Sequence, residues 1–128
     1  MKKLSENATL PERCPMVDFV NLISGKWAIP ILYRLIVENR PVRFGTLQRA
    51  ASPITQKELT RHLRLFEQQG LVSRSVYPQM PPRVEYEITA LGRTLRPTLD
   101  SLAGWMTTHG TAIREKMPEQ EQAGSNGR

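Results

Sequence analysis

A chain of 128 residues and 14.6 kDa, 39% of it hydrophobic, is long enough for one packed domain and too short for two ordinary ones. Eighteen Lys and Arg against twelve Asp and Glu leave a formal charge of +6 and a pI near 10.0, which excludes an acidic mimic and points to a polyanionic partner. No stretch approaches the roughly 18 consecutive apolar residues of a membrane span. The opening MKKLSENATLPERC lacks the apolar core of a signal peptide, and a single cysteine, Cys14, rules out an internal disulfide, so a cytoplasmic protein resting on its apolar core is expected.

Residues 1–13 carry little periodic apolar signal and are expected to form an N-terminal arm. Pro15 suits the first turn of a helix; Val17, Val20, Leu22 and Ile23 give that helix an apolar side, and Ser24-Gly25 stops it. Trp27, Ile31, Leu32, Leu35 and Ile36 recur at helical spacing and predict a second helix from Lys26 to Glu38. Pro30 is tolerated there because it falls near the first turn, where N–H groups have few intrahelical partners. Asn39-Arg40-Pro41 breaks the chain, Val42-Arg43 allows a stub of strand, and Phe44 to Ala51 reads as a short helix with Phe44 and Leu47 inward. After a turn at Ser52-Pro53, Thr55 is placed to cap an amphipathic helix whose apolar positions are Leu59, Leu63 and Phe66 and which Gly70 terminates.

Leu71 to Tyr77 alternates as a strand, Pro78 to Pro82 is excluded from regular structure, and Val84 to Ile88 alternates as the returning strand. The result is a β-hairpin with a proline-rich tip. Thr89 caps a further helix, which Pro97 either ends or follows by opening a new one, and Leu99, Leu102, Trp105, Met106 and Ile113 carry an apolar stripe onward. Residues 118–128, PEQEQAGSNGR, read as a flexible tail, leaving 14–117 as the folded domain, with no internal repeat.

This order of elements predicts a mainly α fold with a small β-hairpin wing, a winged helix-turn-helix, whose second helix of the turn enters the DNA major groove while the hairpin tip touches flanking backbone or minor groove. The charge agrees: Lys26 to Arg83 holds ten basic residues and three acids, so the excess sits in the middle of the chain, as a phosphate-facing surface or a solvated face. With Leu59, Leu63 and Phe66 inward, Gln56, Lys57, Thr60, Arg61 and Arg64 fall on or beside the opposite face, joined by Thr55 at its start. Arginine bonds guanine bidentately and glutamine bonds adenine, so Gln56 and Arg61 are the candidate base readers and Lys57, Thr60 and Arg64 the candidate phosphate contacts. His62 reads as another polar residue of that helix. At the wing, Arg83 follows Met80-Pro81-Pro82 and is either a minor-groove or phosphate contact or a solvated turn residue; Arg43 and Arg49 flank the short helix with the same two readings.

The residues Cys14-Pro15, Ile23-Ser24-Gly25-Lys26-Trp27, Arg43-Phe44, Ile54-Thr55-Gln56-Lys57, Leu59-Thr60, Leu63-Arg64, Gly70-Leu71-Val72, Pro81-Pro82-Arg83-Val84-Glu85-Tyr86, Thr89 and Leu91-Gly92 closely resemble the HxlR-type branch of MarR-like bacterial transcriptional regulators. The resemblance covers about residues 14–106 and is most specific at the PPRVEY wing and the GKW step. It departs at Pro30, where a β-branched or aliphatic residue is usual, and at Ser24, where glycine is common. It implies a homodimer on a palindromic operator, with double-stranded DNA as partner, and, as in several members, sensing of electrophiles or oxidants through an N-terminal cysteine, here Cys14; the expected role is a repressor, with an activator as the alternative.

The residues themselves bear on both points. A winged domain needs little beyond one covering helix, so the stripe Leu99, Leu102, Trp105, Met106 and Ile113 either folds back on its own domain or packs with Val17 of the first helix across a two-fold dimer, setting the reading helices roughly 34 Å apart. Cys14 precedes a helix N-terminus, whose dipole, with Arg13, favours a thiolate; the other reading is a cysteine that simply packs. No enzyme is expected, since His62 and His109 are far apart and neither a phosphate loop nor a nucleophile motif is present, and no metal or cofactor is expected from one cysteine and two histidines. The competing class is a winged helix used for protein or RNA association.

Overall fold

A computed structural model describes residues 14–117; the expected arm at 1–13, with Arg13, and the expected tail at 118–128 lie outside the described residues. The elements run α1 (Pro15–Leu22), α2 (Ala28–Glu38), β1 (Val42–Arg43), α3 (Phe44–Ala50), α4 (Gln56–Gln68), β2 (Val72–Tyr77), β3 (Arg83–Ile88), α5 (Ala90–Arg93) and α6 (Arg96–Glu115). The architecture is mostly helical with a small antiparallel sheet of order β1-β3-β2, as the sequence predicts.

Each helix end has a local cause. Gly25 adopts φ +102°, closed to most side chains, so the chain turns sharply and α2 starts at Ala28, two residues beyond the expected Lys26. Pro30 is the third residue of α2, where its missing N–H leaves no helical bond unmade. Asn39 closes α2 in the left-handed region at φ 52°. At α4 the Thr55 hydroxyl accepts from the Glu58 N–H at 3.1 Å while the Glu58 carboxylate accepts from the Thr55 N–H at 3.3 Å, a reciprocal capping box. The other end of α4 is a Schellman turn: Gly70 at φ +78° donates to Glu67 O at 3.0 Å, and Leu71 donates to Phe66 O at 2.9 Å.

The core is one cluster in which Ile31, Leu32 and Leu35 of α2 and Leu59, Leu63 and Phe66 of α4 are fully buried, with Leu47 of α3 beside them. Each such side chain contributes roughly 1.5–3 kcal/mol by leaving water. His62 is not on the exposed face: it is 2% exposed and stacks on Phe66, with ring centroids 6.2 Å apart. The reason is spacing, because 59, 62, 63 and 66 are i, i+3, i+4 and i+7, so His62 completes the buried stripe. A Cβ at Gly25 would lie 3.1 Å from His62 Cε1, so the turn glycine also makes room for the ring. Burial, followed by the nearby Arg61 guanidinium, pushes the His62 pKa below its ordinary value, with Glu58 opposing.

The hairpin pairs Val72 with Ile88 at its base and Tyr77 with Arg83 at its tip, and β1 joins by pairing Val42 with Tyr86. Thr89 ties the hairpin base to α5: its hydroxyl donates to Gly70 O at 2.7 Å and accepts from Gly92 N–H at 3.0 Å. Gly92 is required there, since a Cβ would overlap the Leu71 carbonyl and the Ile88 side chain. Pro97 opens α6 rather than ending its predecessor, as expected of a residue in a first helical turn.

Helix α6 is moored at its start. Leu99 is buried in the chain's own core, and the Tyr33 hydroxyl donates to Asp100 Oδ1 at 2.6 Å, a bond that raises the Tyr33 pKa. Beyond this mooring Leu102, Trp105, Met106 and Ile113 stay 37–52% exposed, so Leu99 parts from the rest of its stripe. Val17, Met16 and Val20 of α1 are exposed as well.

Candidate nucleic-acid interface

The sequence places its basic candidates on three elements, and the fold brings most of them to one cleft. Helix α4 presents Gln56, Thr60 and Arg64 at i, i+4 and i+8, which align along one side of a helix. These face Arg43, Thr46 and Arg49 from α3 and its approach, and Arg74, Gln79 and Arg83 from the hairpin, around a cleft of about 620 Å³. Five arginines line it and no acidic residue does. At an effective dielectric of about 20, each such charge is worth on the order of 4 kcal/mol to an anion at 4 Å before desolvation costs, so the cleft strongly favours a polyanion.

Lys57 and Arg61 are exposed on the neighbouring strip of α4, outside the lining. The helix thus shows two adjoining polar strips: one closed in by the wing, the other open. Thr55 sits apart from both, its hydroxyl engaged in the capping box.

Arg83 belongs to β3 rather than to the proline tip. Its guanidinium lies over the Tyr77 ring at 4.4 Å, and its Nε stands 3.4 Å from the Glu85 carboxylate, close enough to attract but without hydrogen-bond geometry. The side chain is therefore held along the hairpin. At the tip itself Met80 is 93% exposed, framed by Pro78, Pro81 and Pro82.

Arg74, Gln79 and Thr46 are not singled out by the sequence. Arg74 carries a signal that could have found it: Val72, Arg74 and Val76 lie on one face of β2, so the arginine interrupts an apolar row. Cys14, the N-cap of α1, lies away from the cleft lining and is 3% exposed. Among the described residues no group of three or more His, Cys, Asp or Glu is placed to hold a metal ion, and no helix is long and apolar enough to cross a membrane.

Comparison with known proteins places this arrangement. The HxlR-like helix-turn-helix family profile matches residues 22–114. An HTH-type transcriptional regulator of Halalkalibacterium halodurans is 45% identical over 86 residues, 67% of this chain and 75% of that one. Among solved structures, the redox regulator HypR in its reduced form superposes with a TM-score of 0.72 at 35% identity, covering 80% of this chain and 99% of HypR. The reduced form of the transcriptional regulator YodB from Bacillus subtilis superposes with a TM-score of 0.63 at 29% identity, covering 73% of this chain and 91% of YodB. The cleft between α4 and the hairpin is thus the space between the helix-turn-helix and wing of a MarR-like DNA-binding fold, and the chain belongs to the HxlR-like helix-turn-helix family of transcriptional regulators.

Proposed function

We propose that the protein binds a palindromic operator as a homodimer, reads it with α4, grips it with the wing, and represses the promoter it covers. The observation that carries this reading is the acid-free, five-arginine cleft beside the exposed Lys57 and Arg61 strip. A helix in the major groove with a hairpin beside it offers Gln56 and Arg61 to base edges, and Lys57, Thr60, Arg64, Arg43, Arg49 and Arg83 to the phosphates, with Thr55 at the helix start.

The two-fold partner packs through Val17, Leu102, Trp105, Met106 and Ile113, with Leu99 anchoring α6 to its own domain. A hydrophobic surface of this kind is costly to leave in water and, in a C2 dimer, covers its own copy. The association fixes the distance between the two α4 helices.

Cys14 tunes that distance. The thiol is buried at the N-cap of α1, so alkylation, oxidation, or a disulfide to another chain's thiol must displace what surrounds it and shift α1. HypR, solved in reduced and oxidised forms, and YodB, solved reduced and diamide-treated, support a redox reading of this residue.

Selection of bound duplexes from a random pool, followed by titration of the enriched site with reduced and diamide-treated protein, tests the proposal. The expected result is a palindrome whose binding collapses on treatment and recovers with thiol. Equal binding in both states would remove Cys14 as sensor, and the absence of any enriched site would replace the regulator with a winged-helix adaptor for protein or RNA.

A further inference from the structure

We infer that Arg74 seats a phosphodiester of the DNA strand that passes between α4 and the wing. The inference rests on the DNA-binding reading above and adds a phosphate site to it.

Arg74 occupies a position where an apolar residue is the default. Across the hairpin, Val72, Arg74 and Val76 pair with Ile88, Tyr86 and Val84, so the arginine stands in an otherwise apolar row that is buried at Val72, Tyr86 and Ile88 and opens towards the tip at Val76. Holding a half-buried guanidinium there is costly unless its donors are bonded. The Nε of Arg74 is buried and has no hydrogen-bond partner among the described residues, and the cleft it lines contains no carboxylate to pair with. The acceptor it lacks lies outside the described residues, and a cleft lined by five arginines and no acid calls for an anion with accepting oxygens.

DNA geometry says which anion. An element in the major groove and a second in the adjacent minor groove straddle the single sugar-phosphate strand that separates the grooves. The space between α4 and the hairpin is where that strand must run. Phosphate oxygens protrude from the duplex, whereas base edges lie recessed on the groove floors, so the hairpin wall of the cleft, where Arg74 lies, meets backbone rather than bases. A planar guanidinium matches a phosphodiester's two free oxygens with a pair of parallel bonds. Arg64 on α4 lines the same cleft from its other side and can close on the phosphate once Arg74 holds it.

The test compares wild type, Arg74→Gln and Arg74→Lys on the enriched operator and on a random duplex, each titrated across a range of salt. Arg74→Gln is expected to weaken both duplexes roughly ten-fold and to reduce the salt slope by about one. Arg74→Lys keeps the charge and loses the fork, so its slope stays near wild type while its affinity falls. Independently of any variant's folding, single neutral methylphosphonate linkages walked along the operator should find one position per half-site that weakens wild type and leaves Arg74→Gln unaffected. Wild-type slope and affinity in a folded Arg74→Gln protein, or methylphosphonates that weaken both proteins alike at every position, would overturn the phosphate seat and leave the regulator standing. Failure of wild type to bind DNA at all would overturn both.

Discussion

Helices α4 and α6 are built on the same principle and use it differently. Both carry an apolar stripe on one side. In α4 every large member of the stripe is buried, Leu59 and Leu63 completely, and the buried stripe orients the opposite face with Lys57, Arg61 and Arg64 outward. In α6 the stripe is buried at Leu99 and then leaves its own domain, with Trp105 52% exposed and lying beside the His109 ring, centroids 4.9 Å apart. An amphipathic pattern therefore states that a helix needs a cover. It does not state whether the cover is the same chain.

The sharpest way to break this contrast is to truncate one stripe at a time. Leu63→Ala removes a side chain with no exposed surface and is expected to cost about 2–5 kcal/mol, read as a lower urea midpoint at unchanged slope. Trp105→Glu should leave the helical signal intact and move the sedimenting species to the 14.6 kDa chain, since loss of an aromatic anchor costs roughly 2–4 kcal/mol of association. If Trp105→Glu lowered the urea midpoint as Leu63→Ala is expected to, the α6 stripe would belong to its own domain and the contrast would collapse.

The same contrast explains what is legible in the sequence. Local chemistry announces itself: Thr55 with Glu58 three residues on is a capping box, Gly70 a helix stop, and alternation around Pro78 to Pro82 a hairpin. The candidates Gln56, Thr60, Arg64, Arg43, Arg49 and Arg83 converge because helix periodicity and the hairpin return are both readable. His62 is misplaced when its polar residue type outweighs its i+3 position in the stripe; spacing is the better guide. Arg74 shows in the sequence only as a break in the Val72–Val76 alternation, and what that break means depends on Tyr86 and Val84 across the hairpin, a register set by tertiary pairing.

Within the exposed face of α4, neighbours differ in what they should do. Arg61→Ala is expected to cost about 1–3 kcal/mol on the operator and to relax the preference at one base pair, while Lys57→Ala should weaken all duplexes alike and lower the salt slope by about one. Parallel titrations on operator and random duplex separate the two. Uniform weakening by both variants would reassign Arg61 to the backbone and leave Gln56 as the base reader.

The smallest expected effect comes from the one polar member of the buried α4 stripe. With its folded pKa depressed by burial and by Arg61 below the ordinary value of 6.5, His62 is held neutral in the native state. Below about pH 6.5 the unfolded chain binds a proton at His62 that the folded chain refuses, so stability present above that pH is lost as pH falls towards the depressed folded pKa. One proton sets the limit at about 1.4 kcal/mol per pH unit. His62→Gln removes this proton and should flatten the fall in unfolding free energy between pH 7 and pH 5, measured against wild type so that the carboxylates, common to both proteins, cancel. An unchanged fall in His62→Gln would place the proton elsewhere and make His62 a ring that packs in α4 with no hold on the acid limb, as indifferent to pH as Phe66 beside it.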